Sequence, residues 1–197
     1  MSLSLARAKA LIETNYGTHR GWVRYLLGQI EASVGPRERF RTLRPDEVER
    51  LVFVCLGNIN RSAFAHAVAE AAGAACASIG LSTTTGAPAT DAAIEVAREF
   101  GVSLDAHQAT DFSDYTRGDG DLLLVMELRH AHALVARGIP SERIVLLGHW
   151  ARPTRYHIHD PHTLSTEYFR TCFAVIRPAV LRLVDELALA HSPSIRR

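Results

Sequence analysis

The chain has 197 residues, of which 47% are hydrophobic, and its 22 lysines and arginines nearly balance its 21 aspartates and glutamates. This length can bury one full core with an appendage, and the composition excludes a disordered chain. A net charge of +1 gives no indication of binding to a bulk polyanion. Three cysteines, no apolar stretch long enough for a membrane span and no signal-peptide pattern predict a cytoplasmic protein.

The first 49 residues predict a helical extension. Helices are expected over 3–14 and 21–34, with breaks near Asn15-Tyr16-Gly17 and Gly35-Pro36. An apolar residue recurs at every fourth position of the second helix, which predicts a buried stripe made of Trp22, Leu26, Ile30 and Val34. We expect this stripe to pack against the rest of the chain. A homodimer contact and a cap beside the functional site are the alternatives.

The segment after this extension has the strongest chemical signal. Residues 51–55 are apolar and predict a buried strand, and an alanine-rich stretch over 61–73 predicts a helix. Cys55 ends the strand and Arg61 begins the helix. A loop at such a junction points its N–H groups, and the positive end of the helix dipole, at one small volume. That volume suits a phosphate dianion, and the same field favours the nucleophilic thiolate.

Each residue type in this loop has a chemical reason. Arg61 offers a planar fork of donors that can bind two phosphate oxygens at once. Gly57 permits a positive φ or a close backbone approach, and Asn58 tolerates left-handed backbone and can bond within the loop. The hydroxyl of Ser62 can donate to the cysteine sulfur. The alternative is an unreactive buried cysteine beside a surface arginine.

Strands and helices alternate through the remaining chain, which is typical of a parallel sheet with helices on both faces. Further strands are expected near 75–79, 121–126 and 143–147, and further helices near 90–100, 128–137 and 165–189. Ligands in such sheets bind beyond the carboxyl ends of the strands, where Cys55 lies. Residues 148–164 predict a long irregular loop, and long loops in compact domains are often functional.

These motifs together resemble the low-molecular-weight protein tyrosine phosphatases. The loop resembles the V-C-x-G-N-x-C-R-S-P pattern of that family, and further similarities follow in chain order at 78–80, 86–91, 100–102, 107–109, 121–127, 144–148 and 160–161. The resemblance covers about residues 50–190. It implies a three-layer, Rossmann-like α/β fold over 50–197, with a central four-stranded parallel sheet and helices on both faces. The extension 1–49 lies outside it, and no cofactor or metal is expected.

The resemblance also implies a reaction. Cys55 is expected to attack the phosphorus of a phosphotyrosine-type monoester and form a phosphocysteine. Asp160 occupies the place of the general acid, which protonates the leaving group and then activates water. From the dipeptide Asp160-Pro161 alone, an ordinary turn is the alternative. The phosphate is expected to lie against the loop residues, namely Leu56, Gly57, Asn58, Ile59, Asn60, Arg61 and Ser62.

Four polar residues are implied to hold the loop in shape through a hydrogen-bond network, and these are Asn58, Ser62, Ser78 and His107. Asn60 replaces the second cysteine of the family's loop, which can protect the nucleophile as a disulfide. Cys76 and Cys172 remain, in contexts that predict core positions. The aromatic walls of the family's cleft are also missing. Trp150, Tyr156 and His162 are the candidates to replace them.

Histidines elsewhere invite a metal interpretation that the pattern does not favour. His157 and His159 share a strand face beside a carboxylate, but no third ligand follows a metal-binding spacing. His130 and His132 do not face each other on their predicted helix, and we expect both to be solvated.

Protein phosphotyrosine is the leading substrate by this resemblance. Phosphoarginine is an alternative, although the arginine phosphatases of the family typically place threonine where Ile59 stands. An arsenate reductase needs a relay of cysteines, and the spacing of Cys76 and Cys172 does not match one. A non-catalytic phosphate-binding module is expected to lose the nucleophile, the arginine or the acid, and all three are present.

Overall fold

The computed structural model of the chain describes residues 2–34 and 40–191. Every predicted strand and helix is present in this part of the chain, in the predicted order. The strands are Arg50–Cys55 (β1), Cys76–Gly80 (β2), Asp121–Val125 (β3) and Ile144–Leu146 (β4). The helices are Ser2–Tyr16 (α1), His19–Val34 (α2), Arg61–Ala71 (α3), Asp91–Glu99 (α4), Leu128–Ala136 (α5) and Thr166–His191 (α6). The predicted break at Gly35-Pro36 lies outside the described residues.

The four strands form one parallel sheet in the order β2-β1-β3-β4. Side chains alternate between the two faces of β1, so that Phe53 packs with α3, α4 and α6 while Val52 and Val54 pack with α5. Because both faces are covered, the central strands are apolar along their length. The three-layer, Rossmann-like fold predicted from the sequence is confirmed.

The carboxyl ends of β1 and β3 meet at one edge of the sheet, since Val54 pairs in register with Val125. Cys55 is the last residue of β1. The segment after β4 returns to this edge, where Ile158 N donates to the carbonyl of Met126 at 2.9 Å. The fold therefore places Met126, which precedes Glu127, and Ile158, two residues before Asp160, at the same edge of the sheet as Cys55.

The N-terminal hairpin, formed by α1 and α2, packs against α6 and against the segment after β4. Gly17 between the two helices has a φ of 77°, and a Cβ there would lie 2.7 Å from the side chains of Leu164 and Tyr168. Only glycine permits both the positive φ and this close approach. No described helix is long and apolar enough to cross a bilayer.

The predicted buried stripe on α2 is wrong for Leu26 and Ile30, while Trp22 is half-buried. Leu26 and Ile30 are 40% and 58% exposed, whereas Gly21 and Gly28 on the opposite side are buried. The helix approaches the chain through glycine because backbone can come closer than a side chain can. The apolar side therefore faces outward, and the side chain of Val34 lies outside the described residues.

Candidate active site

The loop between β1 and α3 turns its carbonyl groups outward. Four of its carbonyl oxygens accept hydrogen bonds from outside the loop: Cys55 from Leu81 N (3.0 Å), Leu56 from Ser82 N (2.9 Å), Asn58 from His107 Nε2 (2.6 Å) and Ile59 from Thr90 N (3.1 Å). The C=O and N–H of one trans peptide point in opposite directions. The N–H groups of residues 56, 57, 59 and 60 therefore point toward the inside of the loop.

The sulfur of Cys55 lies within hydrogen-bond distance of two donors. The backbone N–H of Asn58 donates to Sγ at 3.2 Å, and the hydroxyl of Ser62 is 3.0 Å from it. That hydroxyl accepts a hydrogen bond from Asn58 Nδ2 at 2.9 Å, so its own hydrogen is left to donate to the sulfur. Both donors stabilise the thiolate form.

Asn58 fixes the shape of the loop. Its φ is 50°, so the left-handed position falls on the asparagine and not on Gly57. Its side-chain oxygen accepts from Thr110 N at 2.9 Å, and its backbone oxygen accepts from His107. Burial lowers the pKa of His107, although the bond to Asn58 raises it. The structure thus brings Asn58, Ser62 and His107 together as the resemblance implied.

Ser78 does not join this network. Its hydroxyl is 3.2 Å from His66 Nδ1, and it contacts no loop residue through a hydrogen bond among the described residues. The strand of Ser78 supports the loop through Gly80, where a Cβ would lie 2.9 Å from the carbonyl oxygen of Leu56. Asn60 contributes differently, because its side-chain oxygen accepts from Thr90 Oγ1 at 2.6 Å.

Arg61 is fully buried and is held by two carboxylates. Nη1 donates to Glu127 Oε1 at 2.6 Å and to the carbonyl of Ile158 at 2.9 Å. Nη2 lies 2.7 Å from Asp160 Oδ2 without hydrogen-bond alignment, and Nε has no hydrogen-bond partner among the described residues. One edge of the guanidinium is therefore left for a bidentate interaction. Burial lowers the pKa of Arg61, but Asp160, Glu127 and Cys55 raise it more strongly, so the group stays charged.

Glu127 is the residue that the sequence prediction missed. It is buried, and its carboxylate also accepts from Arg129 Nη2 at 2.9 Å. Burial raises its pKa, but the charge of Arg61 and the hydrogen bond from Arg129 lower it well below the usual range. Glu127 follows β3 by two residues, at the edge of the sheet that holds Cys55. That placement was the available signal.

Asp160 stands opposite the loop, with its side chain 27% exposed. Its Oδ1 accepts from His162 N at 3.3 Å, while Oδ2 is beside Arg61. Cys55, Arg61 and Asp160 therefore surround one point, although about a hundred residues separate the first from the last in the chain.

Two of the three candidate cleft walls lie elsewhere. Trp150 is buried in the core and donates from Nε1 to Glu186 at 2.7 Å. Tyr156 packs under the guanidinium of Arg41, 4.8 Å from its ring centre. His162 is exposed, and Leu56 supplies an apolar surface within the loop, 41% exposed.

The histidines near the site are not arranged for a metal. Within residues 2–34 and 40–191, no group of three or more histidine, cysteine or acidic side chains could hold a metal ion. His157 and His159 contact each other, with Nε2 and Nδ1 separated by 3.4 Å. His130 is buried 3.7 Å from Glu127, so the prediction that it is solvated is wrong, whereas His132 is exposed. Burial lowers the pKa of His130 to about 3.

All three cysteines are free. Burial raises the pKa of Cys172 to about 12 and that of Cys76 to about 11, so neither is readily ionised. Where the family's loop has its second cysteine, the amide of Asn60 bonds to Thr90 instead. The nucleophile candidate thus lacks a disulfide partner within its own loop.

Comparison with known proteins gives consistent matches. A sequence model of the low molecular weight phosphotyrosine protein phosphatases matches residues 50–192. The chain is 36% identical to the probable low molecular weight protein-tyrosine-phosphatase AmsI of Erwinia amylovora over 145 residues, which is 72% of this chain and 99% of that protein.

Solved structures show the same fold over the same part of the chain. The crystal structure of Erwinia amylovora AmsI aligns with a TM-score of 0.63 and covers 72% of this chain and 94% of that one. Vibrio vulnificus Wzb in complex with benzylphosphonate aligns with a TM-score of 0.60 and 30% identity, over 70% and 98% of the two chains. The YwlE arginine phosphatase of Geobacillus stearothermophilus aligns with a TM-score of 0.62 and 25% identity, over 73% and 97%.

Proposed function

The chain belongs to the low molecular weight phosphotyrosine protein phosphatases and is a cysteine-dependent phosphatase, and from this we propose how its own residues hydrolyse a phosphotyrosine monoester. The observation that supports the proposal is the meeting of Cys55, Arg61 and Asp160 around the concave side of one loop. The phosphate would lie against residues 56–62, held by the inward N–H groups of residues 56, 57, 59 and 60 and by the edge of Arg61 that carries Nε and Nη2.

In the first step the thiolate of Cys55 attacks the phosphorus. A sulfur–phosphorus bond forms while the bond from phosphorus to the phenolic oxygen breaks. Asp160 gives its proton to that oxygen, so that tyrosine leaves as a neutral phenol. The donors Asn58 N and Ser62 Oγ stabilise the sulfur before attack.

In the second step water hydrolyses the phosphocysteine. Asp160, now a carboxylate, accepts a proton from the water as its oxygen attacks the phosphorus. The sulfur–phosphorus bond breaks, and inorganic phosphate leaves the loop. Ser62 stabilises the returning thiolate, and Glu127 holds Arg61 in place through both steps.

The substrate that we propose is phosphotyrosine in a protein. The relatives are named protein-tyrosine-phosphatases, and the Wzb structure of Vibrio vulnificus holds benzylphosphonate, an aromatic phosphate analogue. The apolar side chain of Leu56 offers a surface for an aromatic ring. Phosphoarginine is the second candidate, on the likeness to an arginine phosphatase. Ile59, where those enzymes typically place threonine, favours the tyrosine substrate.

The division of the chain into an extension over 1–49 and a catalytic domain over 50–197 is part of the same proposal. The family match begins at residue 50, which supports that boundary. We also place the protein in the cytoplasm, because a cysteine nucleophile works only when it is reduced and all three cysteines are free.

The homodimer through the N-terminal helices stays a prediction. It is supported by the outward apolar side of α2, formed by Val23, Leu26, Leu27 and Ile30. Arg24 and Glu31 lie along one border of this side, so two antiparallel copies would place opposite charges together. Light scattering should give twice the mass of one chain, and Ile30→Glu should return the mass of a monomer.

Two variants test the catalytic roles. Cys55→Ser should abolish hydrolysis of 4-nitrophenyl phosphate, because a serine hydroxyl is not ionised near neutral pH. Asp160→Asn should lower kcat roughly 10²-fold, since proton transfer is lost while phosphate binding is kept. Phosphate should still inhibit Asp160→Asn competitively. A Cys55→Ser variant with wild-type turnover would refute the mechanism, and a panel of phosphotyrosine and phosphoarginine peptides separates the two substrates.

A further inference from the structure

The N-terminal hairpin contacts the segment 154–159, which leads into Asp160, at almost every residue. Its hydrogen bonds are Gln29 Nε2 to Thr154 O (3.2 Å), Tyr156 N to Gln29 Oε1 (3.2 Å), Arg155 Nη1 to Asn15 O (3.0 Å) and Thr18 Oγ1 to His159 Nε2 (3.3 Å). The guanidinium of Arg155 also lies over the rings of Tyr16 and Tyr25, 5.2 and 5.4 Å from their centres. The hairpin thus holds this segment along its length.

The side chains of the segment alternate as in a strand. Ile158 is buried in the core, and its carbonyl accepts from Arg61. Arg155, His157 and His159 contact the hairpin instead, as expected for residues two apart in extended backbone. The segment therefore lies between the catalytic core on one side and the hairpin on the other.

Glycine lets the hairpin come this close. A Cβ at Gly21 would lie 2.8 Å from His159 Cδ2, and one at Gly28 would lie 3.5 Å from His157 Cβ. The rings of His157 and His159 face each other with centres 5.6 Å apart. The ring that precedes Asp160 is therefore confined by helix backbone and by a second ring.

A continuous series of polar contacts joins the hairpin to Arg61, the arginine proposed to bind phosphate. Thr18 Oγ1 accepts from Gly21 N at 2.9 Å, so its hydrogen is left to donate to His159 Nε2. His159 is 3.4 Å from His157, whose Nδ1 is 3.4 Å from Glu127 Oε2. Glu127 in turn binds Arg61.

We propose that the N-terminal hairpin positions the general acid, with Thr18 and Gln29 as positioning residues for Asp160. This inference rests on the proposed role of Asp160 in the reaction. Proton transfer to the leaving oxygen requires the carboxyl group within hydrogen-bond reach. An exposed loop alone holds such a group loosely, whereas contacts on both sides fix its backbone. The hairpin lies outside the residues that the family model matches.

The test compares aryl phosphates whose phenols differ in acidity. A poor leaving group needs the proton and a good one needs it little. In Thr18→Val/Gln29→Leu, kcat/KM for phenyl phosphate should fall roughly tenfold, which is a part of the rate that a general acid contributes. For 4-nitrophenyl phosphate, kcat/KM should fall less than about threefold. If Thr18 and Gln29 had a merely structural role, kcat/KM would fall equally for both substrates. Inhibition by inorganic phosphate should not change.

Controls separate position from folding. Thr18→Ser as a single variant keeps the hydroxyl and should keep the wild-type dependence on leaving group. Leu5→Gln/Leu11→Gln changes exposed side chains of α1 outside the proposed dimer contact and should have no effect. If the double variant does not fold, as judged by circular dichroism, Gln29→Leu alone keeps the Thr18 hydroxyl and should show the same selective loss at smaller size.

The final arm is a mutant cycle with Asp160→Asn. In that background the double variant should change kcat/KM less than about twofold, because its effect acts through the missing acid. A full effect in that background, or an equal loss for every phosphate, would overturn the proposal. An Asp160→Asn variant with wild-type dependence on leaving group would instead refute the proposed role of Asp160 itself.

Discussion

Arg61 lies in the phosphate loop (55–62) and contacts the acid segment (154–160), yet the two regions are held in different ways. Within the loop, Asn58, Ser62 and Cys55 bond to one another across three, four and seven positions of sequence. The acid segment depends on partners that are far away in the chain, including α2 and Glu127. The comparison shows that the donors around the cysteine sulfur come from the loop itself, although distant residues also support the loop, whereas the acid segment is held mainly by distant parts of the chain.

The largest effect is expected where the two regions meet. Arg61→Lys removes the fork that holds the phosphate and separates Glu127 from Asp160. Losing one such donor lowers the rate by about 10²-fold, so the loss of two should lower kcat/KM by roughly 10⁴-fold. Steady-state kinetics with 4-nitrophenyl phosphate measures this. A loss of less than tenfold would show that Arg61 does not join the two halves.

A histidine in the acid segment, His157, should destabilise the fold when the pH is lowered. Burial is the main cause that lowers the pKa of His157 from 6.5 to about 4, and Glu127, His159, Arg61 and Arg24 modify it. Between pH 6.5 and 4, His157 is protonated in the unfolded chain but not in the folded one. The free energy of unfolding therefore falls as the pH drops toward 4. At about 1.4 kcal/mol per pH unit, the loss is roughly 3 kcal/mol.

Urea unfolding at a series of pH values measures this dependence. His157→Asn, which does not titrate, should reduce the slope between pH 6.5 and 4, while the part that comes from His130 remains. His132→Asn is the matched control, because His132 is exposed, and its curve should follow that of the wild type. Equal slopes for wild type and His157→Asn would contradict the prediction.

A smaller effect is expected from the phosphate loop alone. Asn58→Ala removes the bonds to Ser62 and Thr110 and leaves their buried groups unpaired. Unfolding free energy should fall by about 1–3 kcal/mol. Phosphate should inhibit less well, while the dependence on leaving group should stay that of the wild type. A changed dependence would mean that the two halves of the site are not separable in this way.

The same comparison explains what the sequence could predict. The strand, the loop and the helix around Cys55 are continuous, so their composition and spacing predicted both the fold and the anion site. Asp160 was found through its resemblance to a family, because nothing near it in sequence indicates Arg61. Glu127 was missed since a carboxylate after a strand becomes informative only when that strand is placed beside β1.

The extension shows a different reason for error. Hydrophobic periodicity on α2 predicted burial of Leu26 and Ile30, yet the helix packs through Gly21 and Gly28. Periodicity assumes that apolar side chains make the contact, whereas here close backbone approach and hydrogen bonds to another segment make it. The prediction that Ser78 joins the loop network was also wrong, because its hydroxyl lies next to His66 instead.

The central claim is that Cys55 carries the phosphoryl group between the two steps. Rapid mixing of the enzyme with 4-nitrophenyl phosphate, followed by acid quench and peptide mass spectrometry, tests it directly. The account predicts a burst of 4-nitrophenol and a phosphoryl adduct on the peptide that contains Cys55, with more adduct in Asp160→Asn, where hydrolysis of the intermediate is slower. Turnover without any adduct on Cys55, or an adduct on another residue, would contradict it.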